Sequence, residues 1–403
     1  MSIQKSLHSG VLYRVLVKLK LLSLYDNLIL TPYQFFLRKI KLLIFSKNND
    51  TKVFLEYYNH YTHPNIRKRY YGKRAPLIWN NLRSSEVVHS IQFPKSSYLG
   101  KKVIIEPDDH CLVIGACLGI FKPMELVSRR QEINDFILSS NVSRVLLGNN
   151  ELVNHAKHYF SKDALKKFSF YPEISCVPKV NKIFINERYK YLSSIYKVKY
   201  LSIASSFRNK AVDILIKSFI KSQSSGELTI VCHDIPDDFK RKILKQKNII
   251  LIEDLPLKEK KKQQLYLNAD VYINTTNIDG GPVAVNALEY GLPIITNTYH
   301  RGKSYINNNN GILLSEPMRY YDPSGFGIKW NSMEDYLEQV DLFKKKGGYN
   351  DLINQFINAF NFYEQNSDNI YNHSINSLEL AHKYSLERSN QILRELYAKV
   401  AKE

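Results

Sequence analysis

The chain has 403 residues, 44% of them apolar, with 16 Gly and 14 Pro. That length supports two domains with substantial cores, and the composition excludes collagen-like, disordered and disulfide-scaffold classes. A formal net charge of +19, from 57 basic against 38 acidic side chains, favours anionic partners: nucleic acid, anionic lipid or phosphate-bearing substrates.

Residues 1–47 hold Lys5, Arg14, Lys18, Lys20, Arg38, Lys39, Lys41 and Lys47 against Asp26 alone. The same stretch is strongly apolar, as in Val15–Leu16–Val17 and Leu42–Leu43–Ile44–Phe45. Basic residues set among apolar ones suit an anionic membrane surface better than a nucleic-acid groove. The bland alternative is that these segments pack on the chain's own core. Two amphipathic helices are expected, over 11–24 and 33–45, with Thr31–Pro32 at the restart. No uncharged window of about 18 residues exists there, so a spanning helix is not expected. Arg14, Lys18 and Lys20 interrupt the apolar core, which argues against a signal peptide. The four cysteines, Cys111, Cys117, Cys176 and Cys232, form no CxxC pair. They read as small core residues in a reducing cytoplasm.

From about residue 53, short apolar runs alternate with turns. Strands are expected at 87–91, 103–105, 112–114 and 145–147, and helices near 124–138 and 151–159. Residues 177–199 read as a linker. A second series begins near Tyr200: strands at 201–204, 228–231, 249–252, 271–273, 292–295 and 311–314. Helices at 210–222, 236–245, 257–268 and 283–290 lie between them, the pattern of a doubly wound parallel sheet. Helices over 332–345, 350–364 and 375–400 close the chain.

The segment from Asp270 to Leu314 carries the chemistry: DVYINTTNIDGGPVAVNALEYGLPIITNTYHRGKSYINNNNGILL. A strand ends at Asn274–Thr275–Thr276, the loop Asp279–Gly280–Gly281–Pro282 follows, and a helix opens at Val283. The bare N–H groups of a helix start favour an anion. Gly280 and Gly281 lack a Cβ and so permit close approach of a ligand to the backbone. Asp279 stands at the mouth of this loop, suited to accept from sugar hydroxyls.

These residues resemble the retaining glycosyltransferases of family 4, which have the GT-B fold: α/β, with two Rossmann-like doubly wound domains facing a cleft. The likeness rests on the order of elements and on the words DGGP, GLPIIT and NGILL. It extends over roughly 195–400, with Arg208–Asn209–Lys210 resembling the loop where an Arg and a Lys grip the donor diphosphate. Tyr384–Ser385–Leu386–Glu387–Arg388 is similar to the family's final helix, which returns to the first domain.

Basic, apolar N-terminal helices are expected over 1–52, and the resemblance implies an acceptor domain over 53–190, a donor domain over 191–375 and the returning helix over 376–403. It implies a nucleotide-diphosphate sugar as donor substrate, with no separate cofactor; no metal is expected, since no second His/Asp cluster stands at ligand spacing. The acceptor would be a glycan or lipid-linked saccharide, as in cell-surface polysaccharide or lipopolysaccharide synthesis. The enzyme would work in the cytoplasm, on the inner membrane face through residues 1–47, and bind no nucleic acid.

Two departures matter. The family's first Glu is Asp279 here, and its second is replaced by Asn286, with Glu289 the remaining carboxylate on that helix. Either Asn286 or Glu289 would hold the ribose, or the site has lost its donor. In the first half, Glu106–Pro107–Asp108–Asp109–His110 follows a strand; the resemblance has Asp109 and His110 face the transferred sugar, and the alternative is that Asp108 and Asp109 cap a turn and His110 is incidental. Gly148–Asn149–Asn150–Glu151 resembles a strand end in the family. Arg301 is a further candidate for phosphate contact. The competing readings are a non-catalytic binding or scaffold subunit, a sugar-nucleotide epimerase, and a nucleic-acid binder.

Overall fold

The structure is a computed structural model. It describes residues 53–57, 78–79, 86–91, 101–106, 129–139, 141–148, 156–157, 160–171, 180–195, 197–253, 257–275, 283–297, 302–306, 309–318 and 333–403. The expected helices at 11–24 and 33–45, the strand at 112–114 and most of the helix at 151–159 lie outside them.

The first sheet comprises β1 (Val53–Tyr57), β2 (Ile78–Trp79), β3 (Val87–Ile91), β4 (Lys102–Glu106), β5 (Val142–Leu147) and β6 (Phe168–Phe170). Helices α1 (Arg130–Leu138) and α2 (Lys162–Leu165) intervene. The strands run parallel in the order β2-β1-β3-β4-β5-β6. Successive strand residues face opposite sides. Val88, Val103, Ile105, Val145 and Leu147 therefore pack on Ile133 and Ile137 of α1. Val87, Ile104 and Leu146 turn the other way.

The second half runs through α3 (Lys182–Ile195), β7 (Lys199–Ile203), α4 (Val212–Ser222), β8 (Glu227–Val231), α5 (Asp237–Leu244) and β9 (Ile249–Ile252). It continues with α6 (Glu259–Asn268), β10 (Val271–Asn274), α7 (Val283–Glu289), β11 (Ile294–Asn297), α8 (Gly302–Tyr305) and β12 (Gly311–Leu314). The strands are parallel, in the order β12-β11-β10-β7-β8-β9. The chain thus winds outward from β7 to β9, returns beside β7 with β10, and winds outward the other way. Tyr200, Ile230, Ile273 and Ile295 form one core with Leu215 and Phe219 of α4. Leu201, Val231, Tyr272 and Ile294 form the opposite one with Ala284 and Leu288 of α7.

Four helical segments follow: α9 (Met333–Lys345), α10 (Asn350–Gln365), α11 (Ser367–Ala381) and α12 (Leu386–Lys402). The single helix expected over 375–400 is corrected. The chain breaks at a short 3-10 turn, His382–Tyr384, and Ser385 caps α12 by accepting from the Arg388 N–H at 3.2 Å. The stretch read as a linker is corrected too: it holds α3, which packs on α11. Ile185 and Leu192, one heptad apart, supply its buried face. The boundary expected at 190/191 falls inside this helix.

Gly291 ends α7 at φ +61, a left-handed position. A Cβ there would come within 2.5 Å of Ile185 Cδ1, so α3 can approach only a glycine.

Helix α12 leaves the second half and covers the inner face of the first sheet. Leu393, Tyr397 and Val400 pack on Val87, Ile104 and Leu146. Each such apolar side chain contributes about 1.5–3 kcal/mol when fully buried. Polar contacts fix the register: His89 Nδ1 with the Tyr397 hydroxyl at 2.6 Å, the Tyr171 hydroxyl with Ser389 Oγ at 2.5 Å, and Arg144 with Glu403. Among the described residues, no helix is long and apolar enough to cross a membrane.

Candidate functional site

In an open parallel sheet, ligands bind at the carboxyl ends of the strands where the winding reverses. In the second sheet that reversal lies between β7 and β10. Two loops leave there side by side: the one from Ala204 to Ala211 and the one that begins at Thr275.

The first loop is held from several directions. Asp234 accepts from the Phe207 N–H at 3.2 Å and from the Ser206 hydroxyl at 3.4 Å. Phe207 is buried and meets Phe239 edge-on, with ring centroids 5.0 Å apart. The Lys210 N–H bonds the Ser206 carbonyl at 3.2 Å. Ala211, which leads into α4, sits at φ 49, a conformation that costs a Cβ-bearing residue roughly 1–2 kcal/mol.

Arg208 was expected to grip a diphosphate. Its guanidinium instead holds two carboxylates of α9. Nε donates to Asp341 Oδ2 at 2.9 Å, Nη2 lies 2.8 Å from the same oxygen, and Nη1 pairs with Glu334. Nearby, Lys344 of α9 pairs with the buried Asp213 of α4 at 2.8 Å. The charge on Arg208 is committed to joining this loop to α9. Lys210, half-buried in the same loop, makes contacts of its own.

The second loop carries Asp279, Gly280, Gly281 and Pro282, which lie outside the described residues, as do Asp109, His110 and Arg301. Its supports are described. Val283 opens α7, and its carbonyl accepts from the Tyr266 hydroxyl at 3.1 Å. Burial pushes Tyr266 well above the ordinary phenol range. The Tyr266 ring stacks on Tyr290 at 5.1 Å and 6°. Asn286, expected at the ribose, is 1% exposed. Glu289 is 4% exposed, and its carbonyl accepts from the Val180 N–H at 2.9 Å. Burial, and then the charges of Glu259 and Glu289, push Tyr290 up to about 12.

Two residues escaped the sequence reading. Tyr266 sits in a Lys-rich helix whose pattern hides its inward face. Thr275 reads in the sequence only as part of a strand end; it is buried at the tip of β10. In the first half, Glu106 is the described member of the Glu106–His110 constellation. Its carboxylate lies 3.1 Å from His89 Nε2, so this end of β4 is linked through His89 to Tyr397. Among the described residues, no group of three or more His, Cys, Asp or Glu could hold a metal.

No protein-family model matches the chain. No curated protein sequence matches it either. Solved structures do. HepE from Anabaena, in complex with UDP, shares 11% identity over 87% of this chain and 100% of that one, with a TM-score of 0.52. Its complex with UDP and glucose gives 10% identity over the same shares, with a TM-score of 0.51. A glycosyltransferase from Rickettsia africae aligns at 13% identity over 80% of this chain and 78% of its own, with a TM-score of 0.49. The chain spans about half of the longer TarM: 54%, at 13% identity, 77% coverage of this chain and a TM-score of 0.46. At such identities the likeness to HepE speaks to architecture alone, and the architecture is that of the GT-B fold, built from two parallel-sheet Rossmann-like domains.

Proposed function

We propose that the chain is a glycosyltransferase that moves a sugar from a nucleoside-diphosphate donor to a hydroxyl of a glycan or lipid-linked saccharide. One observation carries the reading: the second sheet reverses between β7 and β10, so the Lys210 loop and the chain that leaves β10 at Thr275 start from neighbouring strand ends, where open parallel sheets bind ligands. HepE, which shares the fold, has been solved with UDP and glucose. That supports a nucleoside diphosphate as the group to be held here.

In the reaction the bond from the sugar's anomeric carbon to the diphosphate oxygen breaks. The acceptor oxygen bonds that carbon, and its proton is lost. Negative charge grows on the departing diphosphate, so preorganised donors there contribute most to the rate. Lys210 and the amides of Gly280 and Gly281 are suited to that work without a metal. Asp279 would orient the sugar, and Asp109 and His110 would approach it from the first domain. Retention at the anomeric carbon goes with the family resemblance. Residues 1–47 would keep the enzyme on an anionic membrane near a lipid-borne acceptor, as in cell-surface glycan synthesis.

The test is product analysis. Purified protein is incubated with UDP-, GDP- and ADP-sugars, and release of the free nucleoside diphosphate is followed. Turnover of one donor supports the proposal; no binding and no hydrolysis with any of them defeats it.

A second reading is a binding subunit that has lost transfer. The burial of Asn286, which is 1% exposed and stands where a carboxylate was expected, favours it. Tight nucleotide-sugar binding without any turnover, with or without acceptor, would select it.

A further inference from the structure

Thr275 immediately follows β10, at the carboxyl end of the strand beside the winding reversal. It is 4% exposed, and its Oγ1 has no hydrogen-bond partner among the described residues. The strand tip next to it behaves differently. On β11 the Thr296 hydroxyl donates to the Asn274 carbonyl at 2.9 Å and accepts from Asn274 Nδ2 at 3.3 Å.

A buried hydroxyl without a partner costs about 1–3 kcal/mol, and native proteins keep few such groups. Ser374 Oγ also lacks a partner, but it lies within α11. A helical serine can turn to the carbonyl four residues back, so its hydroxyl needs nothing from outside. A threonine at a strand tip has no such carbonyl of its own.

We propose that Thr275 is a donor-binding residue whose hydroxyl donates to a phosphate oxygen of the nucleoside diphosphate. This rests on the donor reading above and deepens it. Strands β7 and β10 are hydrogen-bonded neighbours, so the Lys210 loop leaves the sheet beside Thr275. A hydroxyl next to a cationic loop, in a buried setting, is suited to an anionic acceptor, where the hydrogen bond is charge-assisted. Binding then satisfies an atom that the fold leaves unsatisfied. The phosphate gains a contact that water would otherwise supply.

The experiment compares the full chain with Thr275→Val, which keeps the shape and removes the hydroxyl, and Thr275→Ser, which keeps the hydroxyl. Binding of UDP, GDP, ADP and inorganic pyrophosphate is measured by calorimetry, and melting temperature without ligand is recorded. The expected result for Thr275→Val is a melting temperature at or above that of the parent, with affinity reduced about tenfold. The loss should extend to pyrophosphate, and Thr275→Ser should stay within about threefold of the parent. Unchanged affinity in Thr275→Val overturns the inference and leaves the donor reading standing. A loss for nucleotides with pyrophosphate unaffected overturns the phosphate assignment. A marked fall in melting temperature for Thr275→Val gives the hydroxyl a structural role and also overturns it. If the parent binds none of these ligands, the donor reading fails and this inference fails with it.

Discussion

Arg208 donates from Nε to Asp341 at 2.9 Å although 133 residues separate them. The bond ties the loop after β7 to α9, beside the buried Lys344–Asp213 pair that ties α4 to the same helix. The loop proposed to meet phosphates is thereby tied to α9. The two cations are predicted to differ in their effect on binding. Lys210→Ala should weaken nucleotide binding about tenfold or more, while Arg208→Ala should change it less than threefold. Isothermal calorimetry of both variants checks this, and a larger loss in Arg208→Ala would reverse the roles. Arg208 and Asp341 are each more than a third exposed, so solvent screens the pair and its stability effect should stay below about 1 kcal/mol.

Two backbone positions give opposite signs for the same pair of residues. Ala211 holds a left-handed conformation at φ 49, so Ala211→Gly should stabilise by up to about 1 kcal/mol. Gly291 is at φ +61 and faces Ile185, so Gly291→Ala should destabilise by about 1–3 kcal/mol. Urea denaturation of both variants reads the two signs directly.

Asp270 gives a pH signature. Its Oδ2 accepts from the Lys199 N–H at 2.8 Å. Burial pushes its carboxyl up to about 6, against the opposing pull of Arg188 and Lys199. A raised carboxyl binds its proton more tightly when folded. Its stabilising contribution is complete below the unfolded value near 3.8 and is lost as pH rises through about 6. The loss is at most about 3 kcal/mol. Between pH 4.5 and 7, the melting temperature of Asp270→Asn should therefore rise relative to the parent. A constant difference across that range would contradict it.

Tyr397 is the polar anchor of the returning helix. Tyr397→Phe leaves the buried His89 Nδ1 without this hydroxyl and should cost about 1–3 kcal/mol. Tyr397→Leu should cost more, because the ring also packs on the first sheet. Chemical denaturation separates the two.

Much of the second sheet was legible because its strands are short apolar runs bounded by turn residues. Ile249–Ile252 and Gly311–Leu314 have the expected limits. Helix α3 was missed because its buried positions, Ile185 and Leu192, stand among tyrosines and polar residues that blur the period. The break between α11 and α12 was missed because Ser385 reads as a helix interior until its capping bond to Arg388 is seen. At the site, the strand-loop-helix passage around Arg208–Lys210 could be read from its apolar runs and charges. The engagement of Arg208 could not, since its partners lie on a helix more than a hundred residues away. Nor could the burial of Thr275, which depends on how β10 sits between β7 and β11.

The most direct test of the account is calorimetric titration of the intact chain with nucleoside diphosphates, repeated on Lys210→Ala. Saturable one-to-one binding of at least one of them, weakened about tenfold or more in the variant, is the predicted result. Absence of binding to all of them, or equal affinity in the variant, would contradict a donor pocket between β7 and β10.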